Sequence, residues 1–483
     1  MASRRLRGYL GAGAAAWAAV WLAACGGSGG AGAGSHSALI TIANYTNFAA
    51  DVTIGSETQR IGAESQGSYT ARWTGGDSTT VSLRAVAVGR AELTRAWSAT
   101  VTDGATARTF VEFDSPARDR IGGVPCDYLA RRTWDSFWKD VDPIRVLRAK
   151  GFGWVRVGVT TVSSGDLKAT DPARWSSLPW KNEYWSSLEY AAEILHEAAG
   201  AGLRLQVFLF LSDTAAHAGI QDPPAAWRDK DVAETAQALE AYAYTTAKDL
   251  ADRGLRVEAY DIGNEIEAGI VGFRPDQRIP RPAGVDVTRD MGYMRTQVWT
   301  IEADLLKAAI RGVRRANPSA AIVLHADSVG WNNDNTRTRT FFETMVEYGV
   351  DFEVAGLSYP YSMYADNDGI PKPYFASPAF TELIGDLAAL GKRVQISEYM
   401  YPNDPTGTSG QPDAGYPFSP EGQAAWIRNF LAAVAGRPEV ERAFYFYPEY
   451  FRGMSHGDVP GIESSGLFRS DGEVQPGLRV FFP

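Results

Sequence analysis

Two glutamates carry the chemistry that this sequence offers most clearly. The stretch AYDIGNEIEAGI (259–270) runs as an apolar strand to Gly263 and then sets Asn264 and Glu265 side by side. The stretch QISEYMYP (395–402) ends a second apolar run at Glu398. One carboxyl acting as proton donor and a second as nucleophile are what a retaining glycosidase requires, with the two groups about 5–5.5 Å apart. An amide beside the acid is placed to hydrogen-bond a sugar hydroxyl. A lone Glu at a strand end is ordinarily a solvated loop acid or the partner of an Arg. Two of them, one preceded by Asn, favour chemistry if the fold makes them meet.

The elements that must position them can be read from residue 120 onward. Apolar β-type runs recur at WVRVGV (154–159), RLQVFLFL (204–211), RVEAYDIG (256–263), AIVLHA (321–326), FEVAGLSY (352–359), RVQIS (393–397) and RAFYFY (442–447). Between them the apolar spacing is helical, as in Ile301, Leu305, Ala309 and Val313. With an earlier strand near 121–128, this predicts eight alternating strands and helices, a (β/α)8 TIM barrel over 120–483. A doubly wound sheet is disfavoured, because no Gly-rich phosphate loop follows a strand. Glu265 then closes strand four and Glu398 strand seven, on the face where barrel strands end and chemistry is built.

The preceding residues divide into three parts. Arg4, Arg5 and Arg7 lead an apolar stretch that closes on LAAC (22–25), the pattern of an export signal. This ending resembles a bacterial lipobox, which predicts removal of the signal peptide before Cys25 and lipidation of the Cys25 thiol. The expected location is outside the cytoplasm, lipid-anchored in the bacterial cell envelope at the outer membrane or cell surface. Membrane contact is expected through that lipid only. Residues 26–37 form a Gly/Ser-rich tether. Residues 38–115 alternate in short runs separated by turn residues, predicting a small all-β, sandwich-like domain that serves as spacer or packing partner more readily than as a carbohydrate-binding module. With Cys25 lipidated, Cys126 has no partner for a disulfide.

Composition narrows the function further. The 483 residues carry a formal charge of −10 and no long Lys/Arg run, which excludes a nucleic-acid surface. The five His show neither H-E-x-x-H nor zinc-ligand spacing. GMSHG (453–457) matches G-x-S-x-G, but a nucleophile elbow needs a helix behind it and DVPGIESSG follows instead. Trp175, Trp180 and Trp185 could stack on sugar rings, with core packing at least as good an account. A monomer without cofactor is expected, Ca2+ in the loop 401–415 being the alternative to a solvated turn-rich loop.

From about 120 to 450 the chain resembles glycoside hydrolase family 53, the endo-β-1,4-galactanases, which are retaining enzymes of a large barrel clan. The resemblance rests on eight landmarks in order: WVRVGV, LSDTAAHAGIQDPPAAW (211–227), IGNEIEAG (262–269), VLHADSVGW (323–331), DFEVAGLSYPY (351–361), ISEYMYP (396–402), SPEGQAAWI (419–427) and AFYFYP (443–448). It implies Glu265 as acid/base, Glu398 as nucleophile and Asn264 as the partner of the sugar's 2-hydroxyl. It further implies that Arg156, His325 and Tyr359 orient the nucleophile or the sugar, and that Asp213, Trp331 and Phe446 contact substrate. Departures accompany it. Phe210, Ala215 and His217 stand where the family carries His, Trp and Asp; Val271, Gly272 and Phe273 replace Leu-Trp-Pro; Phe446 and Tyr447 replace Trp and Glu. Sites that lose polar partners reject the sugar that needed them. The expectation is therefore a galactanase-like hydrolase of β-linked polysaccharide or oligosaccharide. The alternatives are cleavage of a bacterial exopolysaccharide and a non-catalytic saccharide-binding envelope lipoprotein.

Overall fold

The structure is a computed structural model that describes residues 34–114, 119–124, 143–161, 172–173, 187–327, 335–360, 373–406, 411–450, 464–469 and 472–482. Seven strands come first: β1 (Ser35–Asn44), β2 (Ala50–Ile54), β3 (Glu57–Ile61), β4 (Ser65–Thr74), β5 (Ser78–Ala87), β6 (Arg90–Thr102) and β7 (Thr106–Val111). They form a three-stranded sheet, β4-β1-β7, and a four-stranded sheet, β3-β2-β5-β6. Their alternating sequence places Ile40, Ile42, Val52, Leu83 and Val101 in one buried cluster, while intervening side chains face outward, as period-two patterning requires.

Eight parallel strands then close a barrel: β8 (Ile121–Val124), β9 (Trp154–Val159), β10 (Arg204–Leu209), β11 (Val257–Ile262), β12 (Ala321–Ala326), β13 (Val354–Pro360), β14 (Arg393–Met400) and β15 (Val440–Phe446). Each pairs with its neighbours in chain order, and β15 returns to β8. These are the expected strands, shifted by a few residues at their ends. Helices cover the outside: α1 (Pro143–Ala149), α2 (Leu188–Gly200), α3 (Val232–Asp252), α4 (Thr300–Ala316), α5 (Thr336–Glu347), α6 (Pro378–Ala389) and α7 (Pro420–Ala435). Strands buried on both faces must be apolar nearly throughout, which is why WVRVGV and RLQVFL read as continuous runs. Asp231 and Glu234 make a reciprocal capping box at the start of α3. A Cβ at Gly312 of α4 would stand 2.4 Å from the Glu240 carbonyl oxygen of α3. Glycine there lets the two helices approach this closely.

The sandwich and the barrel share structure. Phe482 packs in the sandwich core, and its neighbour Phe481 sits against Phe152 at a ring-centroid distance of 4.6 Å on the barrel side. Lys150, fully buried, donates to Asn47 Oδ1 at 2.6 Å and Glu64 Oε1 at 2.5 Å. Arg479 grips both oxygens of Glu64. The barrel and the sandwich keep separate apolar clusters, and these contacts bridge them. Among the described residues no helix is long and apolar enough to cross a membrane. Cys25, the tether to residue 33, Cys126 and the GMSHG segment lie outside the described residues.

Candidate active site

Arg156 is the hub of the barrel mouth. It projects from β9 and is completely buried. Nε donates to Asp261 Oδ2 at 2.8 Å, Nη1 to Glu398 Oε1 at 3.0 Å and Nη2 to Asn264 Oδ1 at 3.1 Å. Its guanidinium lies over the Phe208 ring, 4.0 Å from the centroid. One planar fork therefore ties the end of β11 to the end of β14, a role a Lys point charge could not fill. Gln206 Nε2 holds the other oxygen of Asp261 at 2.5 Å. Burial pushes the Asp261 carboxyl up, and Arg156 works against that rise.

Glu265 follows directly. Its backbone is left-handed, φ 53°, an arrangement that costs a non-glycine residue of order 1 kcal/mol or more and persists only where neighbours enforce it. Gln221 enforces it: its Nε2 donates to the Asn264 carbonyl at 2.8 Å and to the Glu265 carbonyl at 3.0 Å. Gly263 is required just before, because at φ 93° a Cβ would meet Ile266 Cγ2 at 2.2 Å. The carboxyl receives Ser358 Oγ–H at 2.6 Å on Oε1 and the Ala218 N–H at 3.1 Å on Oε2. Ser358 is the β13 register partner of Glu398 on β14, so one hydroxyl reaches from beside one carboxyl to the other. Both carboxyls lie on the same side of the barrel, near enough that the charge of Glu398 acts on Glu265.

Strand β14 aims Glu398 by an irregularity. Gln395 and Ser397 face the same way, Nε2 to Oγ 3.0 Å, so strict alternation would turn Glu398 outward. The ladder slips here, pairing Leu357 with Ile396 but Ser358 with Glu398. Such bulges re-aim a side chain, and Glu398 consequently points at Arg156.

The two carboxyls differ in surroundings. Burial, and then the charge of Glu398, push Glu265 up to about 7, against the hydrogen bonds from Ser358 and Ala218. Burial also pushes Glu398 up to about 7, with Arg156 opposing. The Arg156 contact belongs to Glu398, whose side chain keeps 15% exposure. Arg156 therefore favours the charged form of Glu398, while the donors to Glu265 are a hydroxyl and a backbone amide. Burial, and then the neighbouring Arg156 charge, hold the His325 imidazole neutral. Its Nε2 lies 2.9 Å from Ser358 Oγ. Its Nδ1 lies 3.1 Å from Arg156 Nη2 and 2.9 Å from Asn264 Oδ1.

Two expected residues serve elsewhere. Tyr359 is not at the carboxyl pair: strand alternation turns it outward among Tyr374, Phe380, Trp426 and Phe430, where its oxygen accepts the Phe375 N–H at 2.7 Å. Ser358, one residue earlier, takes the inward place. Asp213 is buried and its Oδ2 accepts the Ala225 N–H at 2.9 Å, ordering the loop after β10. Phe446 ends β15, half-buried and stacked on Tyr447 at 3.8 Å. Trp331, Trp175, Trp180 and Trp185 lie outside the described residues. His217 Nδ1 accepts the Gly219 N–H at 3.1 Å, shaping the turn that presents the Ala218 amide. Val271 and Phe273 are buried and offer no open aromatic face.

In the described part of the loop 401–415, Asn403, Asp404 and Asp413 are used by the fold. Asp413 Oδ2 accepts from Trp426 Nε1 at 2.7 Å, Asp404 Oδ1 accepts the Thr406 N–H at 2.7 Å, and Asn403 Nδ2 donates to the Gly466 carbonyl at 2.7 Å. Among the described residues no group of three or more His, Cys, Asp or Glu side chains is arranged to hold a metal ion. Ser358, Gln221 and Asp261 went unnoticed in the sequence. Only Asp261 had a signal, an acid inside an otherwise apolar strand.

A parallel eight-stranded barrel that devotes its mouth to a coupled carboxyl pair belongs to the glycoside hydrolase class. The particular family is settled by comparison: the model of glycosyl hydrolase family 53 matches residues 134–481, and the chain belongs to that family. The arabinogalactan endo-β-1,4-galactanase of Humicola insolens is 28% identical over 313 residues, covering 63% of this chain and 84% of that one. The enzyme of the same name from Thermothelomyces thermophilus is 25% identical over 311 residues, with 61% and 82% covered. Among solved structures, the Ignisphaera aggregans GH53 catalytic domain superposes with a TM-score of 0.57 at 22% identity, covering 76% of this chain and 96% of its own. A fungal β-1,4-galactanase superposes with 0.58, also at 22%, covering 75% and 98%. At that identity the structural likeness speaks for the fold.

Proposed function

We propose that the protein hydrolyses a β-linked, galactan-type polysaccharide with retention of configuration, Glu265 serving as acid/base and Glu398 as nucleophile. The observation that carries this reading is the one-sided position of Arg156, which binds Glu398 and leaves Glu265 to burial and a hydroxyl donor. In the first step a Glu398 oxygen attacks the anomeric carbon. The bond to the leaving oxygen breaks with its electron pair, and that oxygen takes the Glu265 proton. In the second, ionised Glu265 takes a proton from water, whose oxygen attacks the same carbon and releases the Glu398 carboxylate. Asn264, fixed by Arg156 and by its own Nδ2 donation to the Ala216 carbonyl at 3.0 Å, holds the 2-hydroxyl. The names of the similar proteins support β-1,4-linked galactan as the first polymer to try.

The test is digestion of β-1,4-galactan and arabinogalactan by the purified protein, with NMR reading the anomer first formed and Glu398→Ala run in parallel. The expected outcome is release of β-configured oligosaccharides by wild type and none by the variant. Wild-type turnover in Glu398→Ala would remove the nucleophile assignment. The chain is further proposed to act outside the cytoplasm on a Cys25 lipid. Cys25→Ser would then move the protein from the membrane to the soluble fraction.

A further inference from the structure

Asp261 is a charged group inside the barrel to which neither step of the hydrolysis gives a task. Alternation along β11 puts it on the same face as Ala259, which packs with Val323 and Val354. It is completely buried, and both of its oxygens are taken. Arg156 Nε of β9 donates to Oδ2 at 2.8 Å, and Gln206 Nε2 of β10 donates to Oδ1 at 2.5 Å. The buried Arg442 of β15 adds a second positive charge nearby. A carboxylate so enclosed touches no sugar and carries no proton to one. What it can reach is Arg156, and through Arg156 the nucleophile.

We infer that Asp261 is a positioning residue for Glu398: it fixes the Arg156 guanidinium and takes up part of its charge, so that Glu398 is ionised yet basic enough to attack. The inference rests on the hydrolase reading and deepens it. Phe208 holds the plane of the guanidinium, and the bond from Nε to Asp261 holds its rotation within that plane. Nη1 is then left for Glu398 and Nη2 for Asn264. A buried guanidinium with one carboxylate partner would spend its whole charge on that partner, stabilising the anion and blunting it as a nucleophile. Here two carboxylates divide it. The charged groups that act on Glu398 are Arg156 from β9, Asp261 from β11, Asp327 after β12 and Glu265 across the mouth; Arg156 favours its ionised form and the three acids oppose it.

The experiment measures kcat/KM against pH for wild type and Asp261→Asn, on whichever of β-1,4-galactan and arabinogalactan the wild type cleaves. Asparagine keeps the shape and an oxygen for Arg156 Nε but removes the charge. The acid limb, which reports ionisation of Glu398, should move down by about one pH unit, and kcat/KM at the optimum should fall about 10-fold. A carboxylate that served only to neutralise Arg156 for folding would leave the limb where it is. Gln206→Met keeps the charge and removes the bond that fixes Oδ1, so it should lower kcat with the limb unmoved; it also decides the matter if Asp261→Asn does not fold. An unmoved acid limb in folded Asp261→Asn, or wild-type kcat in Gln206→Met, overturns the inference and leaves the hydrolase reading standing. Both polymers left intact by wild type remove the hydrolase reading and this inference with it.

Discussion

Ser358 shows how one hydroxyl sets the working range of a carboxyl. It donates to Glu265 Oε1 and so favours the ionised form, against the burial that pushes Glu265 up to about 7. Ser358→Ala removes this donor, and the alkaline limb of the kcat/KM profile should move to higher pH while the acid limb, set by Glu398, stays. An unmoved alkaline limb would show that Ser358 does not tune the acid. The raised carboxyl also bears on stability. The folded chain keeps the Glu265 proton to about 7, while the unfolded chain releases it near 4.5. Between these values the native state binds more protons, and stability falls as pH rises through that window. Glu265→Gln keeps an acceptor for Ser358 but does not titrate. It should be more stable than wild type at pH 8, by about 3 kcal/mol, and no more stable at pH 4, which denaturant melts at the two pH values would check. Glu265, Glu398 and Asn264 were legible in the sequence because each stands at the end of a recognisable apolar run. Ser358 was not: period two allows either Ser358 or Tyr359 to face inward, and only the register of β13 against β14 decides.

Among the elements, the loop after β10 governs the loop after β11. Gln221 spans them with one amide group that serves the carbonyls of Asn264 and Glu265, and the Ala218 N–H reaches the Glu265 carboxyl from the same loop. Gln221→Ala should cost about 2 kcal/mol in stability, the scale of leaving buried carbonyls unserved. It should also lower kcat more than it raises KM, since it frees the left-handed turn that aims the acid. Equal changes in both constants would assign Gln221 to substrate binding instead. Strand positions and helix spacing were readable because parallel strands buried on both faces leave long apolar runs. The slip in β14 at Ser397 was not, because a bulge adds a residue to the ladder without altering the composition of the strand. Gln221 left no local mark either, its partners being more than 40 positions away.

In the molecule as a whole, the sandwich and the barrel are one packed body at their junction. Lys150 lies buried between Asn47 and Glu64, and burial holds its amine down at about 8. Phe482→Ala takes a ring out of the sandwich core and should cost about 3 kcal/mol. Because the junction is shared, calorimetry should show one transition moved to lower temperature. A separate sandwich transition moving alone, with the barrel unchanged, would show the domains to be independent. The sequence could not disclose this junction, since Asn47 and Phe482 stand 435 positions apart and neither has an unusual neighbourhood.

Phe482 also sets an order of events. The sandwich strands leave the ribosome first, yet their core lacks a ring until residue 482 has followed them. Emergence and completion therefore run in opposite directions along this chain. Until the late segment arrives, the early strands hold an open apolar slot.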